Sequence, residues 1–164
     1  MQEETHMEYK TNVMRILDRL KIPYTSHSYT GTGAVSGEEV AKALGEDPAR
    51  TFKTLVTIGK SKKYYVFLVP VAKELDLKKA AVCAGEKSIE MIKSKELLPV
   101  TGYIHGGCSP IGMKKAFPTF IDTSAQSFGT IIFSAGKIGY QVETSLAELK
   151  RAKPFTLADL TVEQ

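Results

Sequence analysis

The chain has 164 residues, with 22 Lys+Arg against 18 Asp+Glu and a formal net charge of +4. No apolar run approaches the roughly 18 residues of a membrane span, and the polar start Met1–Lys10 lacks the apolar segment of a secretory signal. The two cysteines, Cys83 and Cys108, form no C-x-x-C pair, so a disulfide scaffold and a zinc ribbon are excluded and a reducing cytoplasm is the expected setting. A chain of this size buries about two thirds of its unfolded surface in a single core, so residues 1–164 are expected to form one domain, with 1–9 a flexible leader. The charge is spread evenly, with no basic tail or arm. It permits a polyanionic partner without requiring one.

Val13, Ile16, Leu17 and Leu20 recur at helical spacing, with Thr11 as N-cap and Pro23 as the stop. A short strand follows at Tyr24–Tyr29, and then a glycine-containing loop at Thr30–Val35. Ser36 and Glu39 make a capping box for a second helix that Gly45 ends. Asp47-Pro48 reads as a cap followed by a first-turn proline. Thr51–Ile58 and Lys63–Val71 read as an antiparallel hairpin around the turn Gly59–Lys62. On the first of these strands Lys53 is expected on the face opposite Phe52 and Thr54. Asp76 caps a helix Leu77–Ala84 that Gly85 closes. Ser88–Ile92 reads as a strand and Ser94–Leu98 as a short helix stopped by Pro99. The stretch Thr101–Lys115 is a glycine-dense loop. Strands at Thr119–Asp122, Thr130–Ser134 and Tyr140–Thr144 follow, the last after a turn between Gly136 and Gly139. Ser145 and Glu148 form another capping box, and Leu157–Leu160 finishes the chain. Six or seven strands in hairpins, without steady β-α-β alternation, point to an α+β fold with a mixed or antiparallel sheet.

Three constellations bear on chemistry. Gly31-Thr32-Gly33 with Gly37 imitates a dinucleotide turn, but the spacing is one residue too long and no acid ends the next strand. A plain strand-to-helix loop is the better reading. His105-Gly106-Gly107-Cys108 places a thiol near an imidazole, although a lone cysteine is more often inert packing. His6 and His27 have no partners at metal-ligand spacing. The third set is diffuse: Lys53 as a fixed cation, Gly106-Gly107 as backbone amides able to form an oxyanion hole or phosphate nest, and Ser134 at a strand end. Spacing alone does not bring these together.

The stretches KTNVMRILD (10–18), FKTLV (52–56), LDLKKAA (75–81), TGYIHGGCSPIGMKK (101–115), FPTFID (117–122) and SAGKIG (134–139) resemble the YbaK/EbsC family in order and spacing, over about residues 10–160. These are aminoacyl-tRNA deacylases related to the editing domain of bacterial prolyl-tRNA synthetases. The resemblance implies a mixed, barrel-like sheet with flanking helices and a metal-independent, cofactor-free enzyme. It further implies clearance of mischarged Cys-tRNA(Pro), and of Cys-tRNA(Cys) with it. The substrate's own thiol would attack its ester carbonyl. Lys53 matches the family lysine that orients the terminal adenosine, its phosphate or the ester. Gly106 matches the glycine whose amide holds the aminoacyl carbonyl, and Ser134 the serine that contacts the terminal nucleotide or amino acid. Tyr29 matches an aromatic at the pocket mouth. Thr54, Gly107, Ser109, Pro110, Gly136 and Lys137 fall in the same motifs and are expected to bind substrate. The implied partners are the acceptor end of aminoacyl-tRNA and prolyl-tRNA synthetase.

Ser36 stands where relatives often carry an aromatic, Ile138 replaces a usual basic residue, and Gln141 stands where some carry an acid. The residues by themselves leave other readings open. One is a non-catalytic module that holds tRNA or a synthetase, another a deacylase for a different misacylated tRNA, and a third a cysteine hydrolase using Cys108 with His105.

Overall fold

The computed structural model describes residues 9–163. It contains five α-helices and eight strands in two sheets. Helix α1 (Asn12–Arg19) opens at Thr11, whose Oγ1 accepts from the Met14 amide, and buries Val13, Met14 and Leu17. Its end is a left-handed residue at Lys21 rather than Pro23 itself. Strand β1 (Thr25–Ser28) leads to α2 (Gly37–Leu44), which carries the full Ser36–Glu39 capping box and closes on Gly45 with φ +68. Asp47-Pro48 starts no helix. Asp47 Oδ1 takes the Ala49 amide, and the chain turns directly into β2.

Strands β2 (Phe52–Gly59) and β3 (Tyr64–Pro70) form the expected antiparallel hairpin, with Phe52 opposite Pro70 and Ile58 opposite Tyr64. Helix α3 (Leu77–Ala84) is capped by Asp76, whose carboxylate accepts from the Lys78 and Lys79 amides. Strand β4 (Ile89–Met91) adds antiparallel to the far end of β2. Helix α4 spans Ser94–Thr101 and therefore runs through Pro99. The proline costs one backbone hydrogen bond. The turn survives because Leu97 and Thr101 are buried and Thr101 Oγ1 donates to the Leu97 carbonyl at 2.7 Å.

After the long glycine loop come β5 (Thr119–Asp122), a 3-10 turn at Thr123–Ser127, β6 (Ile131–Ser134), β7 (Tyr140–Thr144), α5 (Leu146–Ala152) and β8 (Thr156–Ala158). Only half of the second capping box forms. Ser145 Oγ accepts from the Glu148 amide, while the Glu148 carboxylate pairs with Arg151.

The sheet orders are β1-β7-β6 and β4-β2-β3-β5-β8. The small sheet is antiparallel throughout, whereas β5 and β8 run parallel to their neighbours in the large one. The sheets do not close into a barrel. They meet at one bridge, Thr51 to Ile132, where the Ile132 amide also donates to the Arg50 carbonyl. Strand β3 explains the division of the core. Its alternate residues Val66 and Leu68 join α1, α4 and the small sheet on one side. Tyr65, Phe67 and Val69 join α3 and Phe120 on the other. A strand buried on both faces reads as a continuous apolar run, which accounts for the sequence YYVFLVP.

Candidate active site

One side of β2 is paired with β3 along its length. The other side is paired with β4 only at Thr57–Gly59 and touches β6 only through the Thr51 bridge. Between these two ends the strand edge is open, and a cavity of about 480 Å³ occupies the gap. All five residues Phe52, Lys53, Thr54, Leu55 and Val56 line it. The expected opposition of Lys53 to its neighbours is therefore not what places it. At an open edge a cavity touches side chains from both faces of the strand.

The remaining walls come from separated parts of the chain. The start of α2 supplies Ser36, Gly37, Glu38 and Val40. The segment entering α4 supplies Lys93 and Ser94, with Leu97 behind them. The glycine loop brings His105, Gly106 and Cys108, and the small sheet brings Ser134, Tyr140 and Gln141. Gly37 permits the close approach on the α2 side. A Cβ there would stand 2.6 Å from Val71 Cγ1.

Lys53 is half-buried, and its Nζ donates to the Val71 carbonyl over a long 3.4 Å. Burial lowers its pKa below the ordinary lysine value, while the charges of Glu38 and Glu74 pull it back up. No carboxylate among the described residues forms an ion pair with it. Gly106 has φ +89, a conformation that glycine adopts readily. Its N–H has no hydrogen-bond partner among the described residues, whereas the Gly107 N–H is committed to the Ile104 carbonyl at 3.0 Å. The glycine pair thus presents one free amide rather than two. Ser134 Oγ accepts from the Gly136 amide at 3.1 Å, leaving its own O–H to donate. Thr54 Oγ1 is buried without a partner, and Tyr29 is held at the cavity by its backbone N–H, which donates to the Gly139 carbonyl at 2.8 Å.

Lys53, Gly106, Ser134, Tyr29 and Thr54 therefore converge on one cavity. Gly107, Ser109, Pro110, Gly136 and Lys137 are not among its lining residues. Gly107 packs against the Lys137–Ile138 backbone, where a Cβ would meet Ile138 N at 3.1 Å. Ser109 is fully buried, and its Oγ takes the Ile111 amide. Pro110 is buried beside it. Gly136 lies over α1 and Tyr103, with a would-be Cβ 2.9 Å from Val13 Cγ2. Lys137 reaches outward over the ring of Tyr9. The apolar wall of Val40, Val71, Ile92 and Leu97 carries no chemical signature in the sequence, and only the packing of β4 and α4 against β2 reveals it.

Cys108 lines the cavity but is 8% exposed. Burial pushes its thiol up to about 12, against a lowering contact with Thr101. No hydrogen bond joins it to His105 among the described residues. Behind the β7 wall, Glu143 accepts from His27 Nε2 at 2.7 Å, from Arg50 at 2.8 Å, and from the Thr130 hydroxyl. Burial works to raise the Glu143 pKa, but these donors and charges hold it below the ordinary value. Nearby Glu46 goes the other way: burial raises it more than Gln141, His27 and Thr51 lower it.

The model of one family, the aminoacyl-tRNA editing domain, matches residues 32–152. That is well over half of the chain, and the chain belongs to this family. A curated relative from Enterococcus faecalis, the candidate Cys-tRNA(Pro)/Cys-tRNA(Cys) deacylase EbsC, is 42% identical over 158 residues, 96% of each chain. The protein is accordingly an aminoacyl-tRNA deacylase of the editing class. Solved structures agree on the fold. A candidate trans-editing enzyme for prolyl tRNA synthetase superposes with a TM-score of 0.81 at 22% identity, covering 94% of this chain and 100% of its own. A scaffold used in epitope backbone grafting gives 0.82 at 23% identity, covering 93% and 96%.

Proposed function

We propose that the protein clears Cys-tRNA(Pro), and Cys-tRNA(Cys) with it, using the substrate's own thiol. The convergence of the Lys53 ammonium, the Gly106 amide and the Ser134 hydroxyl on one cavity carries this reading. All three are placed as donors, and no base among the described residues is hydrogen-bonded to the Ser134 hydroxyl to make it a nucleophile. A volume of about 480 Å³ suits an aminoacyl group with part of its nucleoside, not a folded tRNA.

The chemistry then follows from positioning. The aminoacyl carbonyl oxygen accepts from Gly106 N–H, where a backbone amide stabilises the developing oxyanion without rearranging. Lys53 supplies positive charge to the ester or the adjoining phosphate, and Ser134 donates to the terminal nucleotide or the amino acid. Tyr29 and Thr54 line the same space. Holding the thiol against its own carbonyl makes the attack intramolecular. A carbon–sulfur bond forms, the ester carbon–oxygen bond breaks, and the thiol proton ends on the ribose oxygen. The products are free tRNA and a four-membered cyclic thioester, which water opens to cysteine. Prolyl-tRNA synthetase is the partner that would present such a mischarged tRNA.

Single-turnover deacylation of Cys-tRNA(Pro) before and after S-alkylation of the cysteine tests this. The free thiol substrate should be cleared at least a hundredfold faster. Equal rates would refute the substrate-thiol route. Clearance of Ala-tRNA(Pro) or Ser-tRNA(Pro) in preference to the cysteinyl species would reassign the substrate.

A further inference from the structure

The cavity wall continues past Tyr140 to the surface. Tyr140 begins β7 and faces the cavity. On it leans Tyr9, at a ring-centroid distance of 5.1 Å and an interplanar angle of 30°. Over the Tyr9 ring, 5.1 Å from its centroid, lies the ammonium of Lys137. Tyr9 remains 47% exposed. Lys137 sits in the turn between Gly136 and Gly139, next to Ile138, whose side chain lies against Gly106. The sequence from the carbonyl-binding amide outward is therefore amide, apolar side chain, and then a cation paired with an exposed aromatic.

An exposed aromatic face beside an exposed cation is what unpaired nucleic acid takes: the ring stacks a base and the cation meets a phosphate. The ammonium now on Tyr9 occupies the ring face by a cation–π contact that is weak at an exposed site. Stacking of a base by an aromatic side chain is the stronger of the two interactions, so a base displaces the ammonium rather than competing evenly with it. The freed lysine is then close to the backbone of the same strand. Tyr9 also lies outside the matched family region, residues 32–152.

We infer that Tyr9, Tyr140 and Lys137 form a stacking subsite for the unpaired nucleobase that precedes the terminal aminoacyl nucleoside, with Lys137 on the phosphate between them. The inference rests on the reading of the cavity as the aminoacyl-nucleoside site. It assigns to the protein a substrate longer than one nucleotide and a contact that is independent of the amino acid.

Two small substrates separate the possibilities: the cysteinyl ester of adenosine, and the cysteinyl ester of the trinucleotide cytidyl-cytidyl-adenosine. The parent protein should show a lower KM for the trinucleotide. Tyr9→Ala should raise the trinucleotide KM about tenfold, equivalent to about 1.4 kcal/mol, with kcat unchanged and the adenosine ester unaffected. Tyr9→Phe should restore the parent value, because the ring and not the hydroxyl stacks. Lys137→Ala should raise the trinucleotide KM and make its logarithmic salt slope shallower by about one. Equal KM values for the two esters in the parent would overturn the inference, as would a Tyr9→Ala effect of the same size on both. Failure of the parent to cleave either ester would instead overturn the proposed function.

Discussion

Replacing Lys53 by methionine should separate its two effects. The substitution keeps most of the apolar bulk of the side chain, one atom shorter, and removes the ammonium with its long hydrogen bond to Val71 O. Nζ has one long hydrogen bond, to Val71 O at 3.4 Å, and no ion pair among the described residues. Its charge is thus partly desolvated, Glu38 and Glu74 compensate only in part, and the net effect of burial lowers its pKa. A lysine whose folded pKa lies below its unfolded value destabilises the fold while it is protonated. That penalty is present at neutral pH and fades as pH rises from the folded pKa toward the ordinary lysine value of 10.5. Lys53→Met should therefore melt no lower than the parent at pH 7, and any gain should shrink toward pH 10. Function should move the other way. A unit charge about 4 Å from a developing anion, at an effective dielectric near 20, contributes about 4 kcal/mol. Loss of one preorganised donor at an acyl centre costs about 10²–10³ in kcat. Deacylation of Cys-tRNA(Pro) should fall by that factor. Thermal melting across pH and single-turnover kinetics measure the two halves. Activity within threefold of the parent would refute the catalytic assignment. A melting temperature lowered by more than about 4 °C, roughly 1 kcal/mol or more for a chain of this size, would refute the net desolvation penalty.

Two further outcomes follow from the same geometry. Cys108→Ala should keep deacylation within threefold of the parent, because the thiol is held neutral; a loss of a hundredfold or more with the fold intact would restore the protein-nucleophile reading. Glu143→Gln should cost about 1 kcal/mol at pH 7, since it leaves Arg50 facing a neutral amide while solvent screens the partly exposed guanidinium. The Glu143 pKa is lowered in the fold, so its contribution is complete above the ordinary glutamate value of 4.5 and is lost as pH falls through the folded value. The difference in melting temperature between Glu143→Gln and the parent should therefore close on acidification below about 4.5. A pH-independent difference would place the loss in packing instead.

Local chemistry was legible wherever a short-range signal decides structure. The caps at Thr11, Ser36 and Asp76 and the left-handed closures at Gly45 and Gly85 all stand where the residues place them. The β2–β3 turn was legible for the same reason. Long-range pairing was not. Nothing in FPTFID or in Thr156–Ala158 announces a parallel neighbour, because parallel partners are set by crossovers and not by turns. Pro99 misled because its penalty is local, whereas the burial of Leu97 and Thr101 that outweighs it is tertiary. At the site, motif resemblance singled out Lys53, Gly106 and Ser134, but only the open edge of β2 explains why one cavity touches all three. The free amide at Gly106 and the committed one at Gly107 are identical letters, distinguished by the turn to Ile104.

The same desolvation that lowers the Lys53 pKa also bears on which thiol can act. Two thiols meet at the proposed site: Cys108 in the wall and the cysteine of the substrate. Burial takes Cys108 to about 12, while an unperturbed thiol lies near 8.5. A thiol that enters with the substrate and is less buried than Cys108 holds more thiolate at pH 7. A higher pKa does make a better intrinsic nucleophile, but with a Brønsted coefficient of about 0.4–0.5 it returns at most half of that difference, on a logarithmic scale, to Cys108. The intramolecular placement of the substrate thiol adds to its advantage. An apolar wall therefore favours a nucleophile that arrives with the substrate over the protein's own thiol. That wall disarms the protein's own thiol, and it strengthens the Lys53 charge and the Gly106 dipole on the anion they face. Selectivity for a thiol-bearing amino acid then follows from the chemistry of the cavity rather than from a pocket shaped to cysteine alone.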